Sequence, residues 1–329
     1  MRDSLHLGTA LCVAAILAAN TGAAEPGRPV ALTLNPQTQT YDFETAAVSG
    51  SIRPDGAYHG VSRFVHKATG TQVIDARYSA LNLFRLFSVN LGLGNPRVWS
   101  REIKATDTSV EIFWAQTDAH QGTITARYEV REPGHVDLTL TLKSLGTYSG
   151  YEILLPNYFD KSMVPHLYLK QRAIGDTPPE IDLVVPTVND VFRGCSLVFP
   201  RDAHTARFPV DGRWNRSEYG MDVAPFFPVR HYGHPFMFVT DRDKTLAAVM
   251  MMQRDDCSAI SSRYYSENEE DRATTYTAMD FLVFGQDLSP GDERTARVRL
   301  SLTDLDADMS QPLQLYQSFA TETDAAATE

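Results

Sequence analysis

Residues 123–142 read TITARYEVREPGHVDLTLTL, and this stretch decides the fold of the 329-residue chain. Apolar and polar residues alternate along both of its halves. In the second half, one face carries Val136, Leu138, Leu140 and Leu142. Alternation with period two is typical of a strand that buries one face. Because Pro133 and Gly134 separate the halves, the stretch predicts a tight hairpin with one side against a core.

Strand patterns continue on both sides of this hairpin. They predict strands at residues 108–113, 122–131, 135–142, 151–155, 181–185, 195–199, 235–240, 246–252, 278–284 and 293–302. Turn residues separate these segments, and no linker, internal repeat or low-complexity tract interrupts them. Only residues 308–319 show a helical stripe of apolar residues. Many short strands with turns between them favour a large antiparallel sandwich or barrel, which makes the protein all-β.

The first 24 residues have the pattern of a secretory signal peptide. A short charged start precedes an apolar stretch at residues 9–19, and small residues lead up to Ala24. We expect cleavage after Ala24 and export to the periplasm or the outside. The apolar stretch of residues 9–19 is too short to cross a bilayer, which takes about 20 helical residues. We therefore expect no membrane span. Residues 25–320 would then form a single domain, and the small, acidic residues 321–329 a frayed tail.

The composition narrows the classes of partner. The formal net charge is −11 at pH 7. Because an acidic chain repels phosphate backbones, we expect no nucleic-acid partner. Cys195 and Cys257 remain after cleavage, in a compartment that permits disulfides. They form either one bridge or two thiols, and the sequence leaves both alternatives open, as it does the oligomeric state.

Polar and aromatic residues are concentrated in residues 213–236, RWNRSEYGMDVAPFFPVRHYGHPF. His231 and His234 titrate near neutral pH, and aromatic neighbours can raise the pKa of Glu218, so we predict these three as catalytic acid and base groups. The histidines are three positions apart, and a bend at Gly233 would bring both to one ligand. The alternative is a polar loop in which the histidines cap turns or pack and Glu218 pairs with an arginine.

Other side chains of this segment are suited to holding a sugar. Trp214 and Tyr219 offer aromatic faces that cover the apolar side of a sugar ring. Arg213 and Arg230 can bond hydroxyl or anionic groups, and Asp222 adds a second carboxylate of the kind that glycosidases pair. We therefore predict these five as substrate-binding residues.

A second constellation follows the strand predicted at residues 151–155. Asn157 and Tyr158 come just after its end, and His166 lies further downstream. Because loop-borne sites collect at strand ends, we predict these three as further substrate-binding residues. The alternative is that Asn157 makes a turn and Tyr158 belongs to the core.

We expect no metal or cofactor. His231 and His234 lack a clear third ligand for a metal site. The acidic groups at residues 241–243 and 267–271 offer oxygen ligands for calcium, but neither fits the EF-hand spacing. We interpret the first group as a hairpin turn and the second as a solvated loop.

Three phrases together resemble the galactose-mutarotase-like superfamily. They are the hairpin of residues 123–142, YEILLPNYF at residues 151–159, and FLVFGQDLSPGDERTARVRLSL at residues 281–302. The resemblance implies a large antiparallel β-supersandwich, to which the helical stripe adds a short C-terminal helix. It also implies a carbohydrate ligand on a concave sheet face. Aldose epimerases of this superfamily use a histidine acid and a glutamate base, and no segment here matches the local sequences around them.

Together, the residues and the resemblance predict a secreted carbohydrate-active protein. It would work by general acid/base chemistry, as in glycoside cleavage, lyase or epimerase reactions. The alternative is a non-catalytic carbohydrate-binding module or an accessory part of an envelope assembly, which would keep the aromatic residues and tolerate loss of both histidines. A purely structural exported protein would instead bury its aromatic residues and lack a cleft.

Overall fold

The hairpin at residues 123–142 lies in the middle of the largest sheet. The computed structural model describes residues 27–88, 91–171, 180–187, 196–206, 230–263, 265–272 and 274–326. The two hairpin strands, Gly122–Arg131 and His135–Ser144, pair antiparallel along their whole length. The apolar residues on the second strand are at most 1% exposed. The predicted alternation with one buried face is therefore confirmed.

The described elements follow in chain order. The first strands are β1 (Thr33–Asn35), β2 (Thr40–Glu44), β3 (Val48–Arg53), β4 (Gly60–His66), β5 (Thr71–Gln72), β6 (Arg85–Ser88), β7 (Leu91–Gly94), β8 (Glu102–Ala105) and β9 (Ser109–Trp114). The middle of the chain forms β10 (Gly122–Arg131), β11 (His135–Ser144), β12 (Tyr148–Phe159), β13 (Val164–Lys170), β14 (Ile181–Val184), β15 (Ser196–Pro200) and α1 (Ala203–Ala206). The last elements are β16 (Tyr232–Thr240), β17 (Leu246–Met252), β18 (Cys257–Arg263), β19 (Thr277–Leu288), β20 (Glu293–Asp304) and α2 (Gln311–Ala326).

The described strands form three antiparallel sheets, which confirms the all-β fold class. The five-stranded sheet keeps the chain order from β1 to β5. The nine-stranded sheet has the order β14-β13-β16-β17-β20-β11-β10-β9-β8, and the six-stranded sheet has the order β15-β18-β19-β12-β6-β7. The chain crosses between the two larger sheets repeatedly, so residues that are distant in sequence come to share one face.

One face of every sheet contributes to a shared apolar core. Phe43, Leu140 and Phe281 come from the five-, nine- and six-stranded sheets, and each is at most 4% exposed. Truncating such a leucine or phenylalanine to alanine costs about 2 to 5 kcal/mol. The opposite faces of the two larger sheets carry smaller apolar clusters, around Leu282 on the six-stranded sheet and around Phe236 on the nine-stranded sheet.

The strand patterns did not predict the five-stranded sheet, nor strands β6, β7, β8, β13 and β18 of the two larger sheets. The strands of the five-stranded sheet are short, and β4 contains a bulge opposite the Ser51–Ile52 step of β3. A bulge shifts the side-chain alternation by one position, which breaks the period-two pattern that marks a strand in sequence. The hairpin turn predicted at residues 241–243 is found between β16 and β17, where the Asp241 carboxylate accepts the N–H groups of Thr245 and Leu246.

Helix α2 packs on the face of the nine-stranded sheet that points away from the shared core. Its Phe319 is fully buried beside Phe236. The helix begins at Gln311 and runs to Ala326, so it includes residues that the sequence predicts as a frayed tail. Near its end, the Glu322 carboxylate binds Arg299 at 2.9 Å. No helix among the described residues is long and apolar enough to cross a membrane.

Cys257 is a free thiol. It is fully buried, and its Sγ donates to the carbonyl of Ala259. Burial raises the pKa of this thiol to about 12. The second cysteine, Cys195, lies outside the described residues. Of the two alternatives that the sequence leaves open, the structure therefore has Cys257 as a thiol.

Three buried histidines couple the stability of the fold to pH. His59, His120 and His166 are at most 1% exposed. Burial lowers the pKa of His59 to about 3 and the pKa values of His120 and His166 to about 4. A histidine pKa that folding lowers contributes stability above the unfolded pKa of about 6.5, and the contribution is lost as pH falls.

Each of these histidines should destabilise the fold by about 1.4 kcal/mol per pH unit between the unfolded and folded pKa values. Asp256 acts in the opposite direction, because burial and the charge of Asp255 raise its pKa to about 6. In part of this pH range it offsets the destabilisation that one histidine causes. The test is urea unfolding of the wild type and His166→Gln at pH of about 7.5, 6 and 5. Groups that titrate in both proteins contribute equally to the two free energies of unfolding and cancel in their difference. The stability difference between the two proteins should shrink as pH falls, and a constant difference would contradict this role for His166.

Candidate functional site

The six-stranded sheet has one face in the shared core and one face turned away from it, which we call its outer face. Along β12, Ile153 and Leu155 belong to the core, whereas Leu154 belongs to the separate cluster on the outer face. Because side chains alternate along a strand, Tyr158 of β12 and Asp280 of β19 also lie on the outer face.

Four tyrosines meet on this outer face: Tyr58, Tyr78, Tyr158 and Tyr276. We call them the tyrosine cluster. The ring centroids of Tyr78 and Tyr158 are 4.8 Å apart, and those of Tyr158 and Tyr276 are 5.0 Å apart. Tyr58 lies 4.8 Å from Tyr78. Only Tyr158 is buried, at 4% exposure, so the other three rings present part of their surface to solvent.

An ion pair lies beside the tyrosine cluster. The Nε of Arg263, on β18, donates to Oδ2 of Asp280, on β19, at 3.0 Å. The two side chains are 7% and 0% exposed. Arg263 also donates to the phenol oxygen of Tyr276, which ties the pair to the cluster. Burial raises the pKa of Asp280, and the Arg263 guanidinium and the backbone N–H of Asn157 reverse only part of this effect.

The ion pair leaves polar atoms of this face unsatisfied. Within the described part of the chain, Oδ1 of Asp280 is buried and has no hydrogen-bond partner. The same holds for Oγ of Ser261, which lies directly opposite Asp280 on β18. An unpartnered buried polar atom costs about 1 to 3 kcal/mol, so each of these atoms would gain from a ligand hydroxyl or a water.

Two arginines border the tyrosine cluster. The guanidinium of Arg97 lies 4.0 Å from the ring centre of Phe84 and 5.7 Å from that of Tyr58. The guanidinium of Arg77 lies 5.0 Å from the ring centre of Tyr78 and donates two hydrogen bonds, of 2.9 and 2.7 Å, to the carboxylate of Asp75. The open rings are therefore flanked by cationic groups that can bond a polar ligand.

This arrangement combines ring stacking with proton-transfer chemistry. Burial raises the pKa values of Tyr158 and Tyr276, so both phenols stay neutral at physiological pH and can donate or accept. The raised pKa of Asp280 lets that carboxyl hold a proton more readily than an exposed aspartate does. No group of three or more metal-ligating side chains occurs among the residues that the structure describes.

The second predicted constellation is not brought together. Tyr158 belongs to the tyrosine cluster. Asn157 points the other way: its Oδ1 accepts the N–H of Leu81 at 2.6 Å, and its amide donates to the carbonyls of Leu155 and Met279. His166 is on β13 of the nine-stranded sheet, stacked 4.9 Å from Phe238. Asn157 therefore has an internal hydrogen-bonding role, and the three side chains do not line one cleft.

The part of residues 213–236 that the structure describes begins at Arg230. The Arg230 guanidinium pairs with Asp182 at 3.2 Å, and the carbonyl of His231 accepts the N–H of Lys170. His234 lies among aromatic rings, 5.5 Å from Tyr316 of α2. Burial, with nearby cations, lowers its pKa.

His234 is therefore on the far side of the nine-stranded sheet, with the shared core between it and the tyrosine cluster. The remaining predicted residues of this segment lie outside the described residues: Arg213, Trp214, Glu218, Tyr219 and Asp222. Their roles as substrate-binding or catalytic groups stay predictions, as do those of His231 and His234.

Sequence reasoning missed the ion pair and three of the tyrosines. A signal was present in TAMDFLVF, residues 277–284, where Asp280 interrupts an otherwise apolar strand. A charge inside such a strand must be paired or bound, because an isolated buried charge is costly. The partner could not be named, because Arg263 is on a different strand.

Removing one member of the buried pair should cost far more stability than removing an exposed pair. We expect Arg263→Gln to destabilise the fold by about 3 to 5 kcal/mol at neutral pH, because it leaves Asp280 buried without its counter-ion. The matched control is Lys161→Gln, which breaks an exposed pair with Glu269 and should change stability little. If urea unfolding gave equal losses of unfolding free energy for the two variants, the Arg263–Asp280 pair would not be desolvated.

Comparison with known proteins finds similarity in fold. The sequence matches no protein-family model and no curated protein. A quadruple mutant of an alpha-N-acetylgalactosaminidase from Bifidobacterium bifidum aligns with a TM-score of 0.50 and 13% identity, over 86% of this chain and 39% of that one. A galactose 1-epimerase from Lactobacillus acidophilus NCFM aligns with a TM-score of 0.43 and 9% identity, over 84% and 98%. A mutant heparan sulfate lyase from Pedobacter heparinus aligns at 0.42 and 6%, over 83% and 36%.

At these identities the similarity extends to the fold alone. The chain spans about two fifths of the galactosaminidase, and nearly the full length of the epimerase. The fold of this chain is therefore similar to that of the galactosaminidase over the aligned part.

Proposed function

We propose that this protein binds a saccharide at the tyrosine cluster. The observation that carries the proposal is the combination on one outer face of three partly open tyrosine rings with the unsatisfied oxygens of Asp280 and Ser261. A sugar ring has apolar C–H faces and a rim of hydroxyl groups. Tyrosine faces cover the first, and buried acceptors bond the second.

The chemistry of this face favours a sugar over an apolar ligand. The four phenol groups, the Arg263–Asp280 pair and the two bordering guanidinium groups lie on or beside this face, so an apolar ligand would leave polar groups without partners. The alpha-N-acetylgalactosaminidase that aligns with a TM-score of 0.50 is named for its sugar substrate. That similarity supports the same ligand class here.

We further propose that the protein acts on its saccharide by general acid/base chemistry, with Asp280 as the proton-transfer group. Its carboxyl is fully buried, has a raised pKa and keeps one oxygen without a partner in the described part of the chain. General acids are tuned in this way by burial. Glycoside cleavage, a lyase reaction and epimerisation all need such a group, and the product distinguishes them. The alternative is a non-catalytic binding module, which needs the tyrosines but not the proton transfer.

Binding is tested by calorimetric titration with neutral and acidic monosaccharides and oligosaccharides. Tyr78→Ala and Tyr276→Ala should each weaken binding by at least about fivefold, because each removes a partly open stacking face. The matched control is Tyr316→Ala, a partly buried tyrosine of α2 that packs near His234 and should leave affinity unchanged. If all three variants bind as the wild type does, the tyrosine cluster is not the site.

Turnover is tested separately with Asp280→Asn. Asparagine keeps the shape and the hydrogen-bonding reach of the side chain but cannot exchange a proton. We expect at least about a hundredfold loss of product formation, with saccharide affinity changed much less. Product should be followed by chromatography of the reducing ends and by absorbance of unsaturated uronate. A wild-type protein that binds saccharide and yields no product on long incubation would favour the binding module.

We also propose that the protein is exported. The proposal rests on the signal-peptide pattern that ends at Ala24. Expression of the full sequence in a Gram-negative host, followed by cell fractionation and intact-mass analysis, should give a periplasmic or extracellular protein that begins at Glu25. An uncleaved cytoplasmic product would contradict it.

A further inference from the structure

The five-stranded sheet carries an open cleft on the face that points away from the core. One face of this sheet packs into the shared core through Phe43, Ile52 and Phe64. The cleft on the other face has a volume of about 650 Å3, and all the residues that line it belong to the described part of the chain. Ligand sites are clefts of roughly 300 to 1,000 Å3, so this one is large enough for a monosaccharide or a disaccharide.

The local fold places two arginines in this cleft. Arg53 and Ser51 are two positions apart on β3 and therefore point to the same face. On β4, Val61 and Phe64 are both in the core although three positions separate them, because a bulge lies between them. The bulge accounts for Arg63 lining the cleft.

Both arginines lack an acidic partner at ion-pair distance within the described residues. Arg53 is partly buried, and its Nη1 donates to the carbonyl of Tyr58 at 3.3 Å. Burial lowers its pKa, as expected for a desolvated cation without a counter-ion. Arg63 donates to Oγ of Ser49 at 3.2 Å.

The one carboxylate in the cleft is already occupied. Oδ1 of Asp42 accepts the hydroxyls of Ser51 at 2.6 Å and Thr40 at 3.2 Å, and Oδ2 accepts the amide of Asn35 at 3.0 Å. These bonds, with the charge of Arg63, hold the pKa of Asp42 below its usual value. Two guanidinium groups against one carboxylate leave the cleft with a formal charge of +1, which favours an anion.

The hydroxyl groups of the cleft favour a particular kind of anion. Ser51 donates its proton to Asp42, and Ser62 donates its proton to the carbonyl of Ser51. Their oxygens keep acceptor lone pairs but have no proton left to give. An inorganic oxyanion offers only acceptors, so it would satisfy the arginines and none of these oxygens. A ligand with an anionic group and hydroxyl donors satisfies both.

We propose that this cleft binds an acidic saccharide, with Arg53 and Arg63 holding its carboxylate or sulfate group and the oxygens of Ser51 and Ser62 accepting its hydroxyls. This second site is built from residues other than those of the tyrosine cluster, and it does not depend on the function proposed for that cluster.

The site is tested by calorimetric or NMR titration of the full mature protein at constant ionic strength. The probes are D-glucuronate, D-glucose, acetate and inorganic sulfate. Glucuronate should bind at least about tenfold more tightly than glucose, acetate or sulfate, because only it engages the arginines and the hydroxyl oxygens together. Glucose binding as tightly as glucuronate would overturn the role of the arginines. Sulfate binding as tightly would reduce the cleft to a simple anion site and overturn the saccharide assignment.

Variants locate the binding in this cleft. Arg63→Gln should weaken glucuronate binding at least about tenfold, because it removes a charge-assisted contact while keeping the aliphatic stem. Arg53→Gln should act in the same direction, and the more exposed Arg63 keeps the test valid if the Arg53 variant folds poorly. The matched control is Arg127→Gln on the nine-stranded sheet, where the guanidinium pairs with Glu129 at 3.1 Å. All of these titrations are made in a Tyr276→Ala background, which weakens binding at the tyrosine cluster and so isolates the cleft. Unaltered affinity in Arg63→Gln would place the ligand elsewhere and overturn the proposal.

Discussion

The apolar layer that the three sheets share is the constraint on which the rest of this structure depends. When a strand buries alternate side chains, the remaining side chains must point to the opposite face. The core therefore determines which residues lie on every outer face. On β12, Ile153, Leu155 and Phe159 are in the core, and this places Tyr158 among the other tyrosines. A shift of one residue in the pairing of β12 would exchange the two sets and destroy the core and the tyrosine cluster together.

The outer faces are used in different ways, and their hydrogen bonding distinguishes them. Under the end of α2, Asp137 accepts three hydrogen bonds of 2.6 to 3.0 Å from Arg297 and Arg299. Both of its oxygens are occupied, and the network holds helix and sheet together. Asp280 is buried to a comparable extent. Its Oδ2 accepts the Nε–H of Arg263, whereas its Oδ1 has no partner among the described residues. A satisfied network rigidifies a fold, whereas an incomplete one in a native protein calls for a ligand or a water.

Much of the fold could be predicted because it is written in local patterns. The hairpin of β10 and β11 and the helical stripe of α2 depend on periodicity within a few residues, and strand β17 depends on a continuous apolar run. The structure contains each of them. The five-stranded sheet was missed because its strands are short and a bulge shifts their alternation. Side-chain roles were harder to predict. Asn157 follows a strong strand pattern and resembles a site residue in sequence, yet β12 continues through it and turns its amide toward Leu81 and Met279.

Local sequence patterns are enough to establish that this chain is all-β, that residues 122–144 form its central hairpin and that a helix lies in its C-terminal part. Periodicity and turn chemistry act between neighbours in the chain, so no tertiary information is needed to detect them. Which polar residues meet depends on the tertiary structure. The members of the tyrosine cluster lie on four separate segments, and Arg263 reaches Asp280 across neighbouring strands. Such meetings are set by strand order and register, which depend on how distant segments bury their apolar faces together, and no short stretch of sequence contains that information.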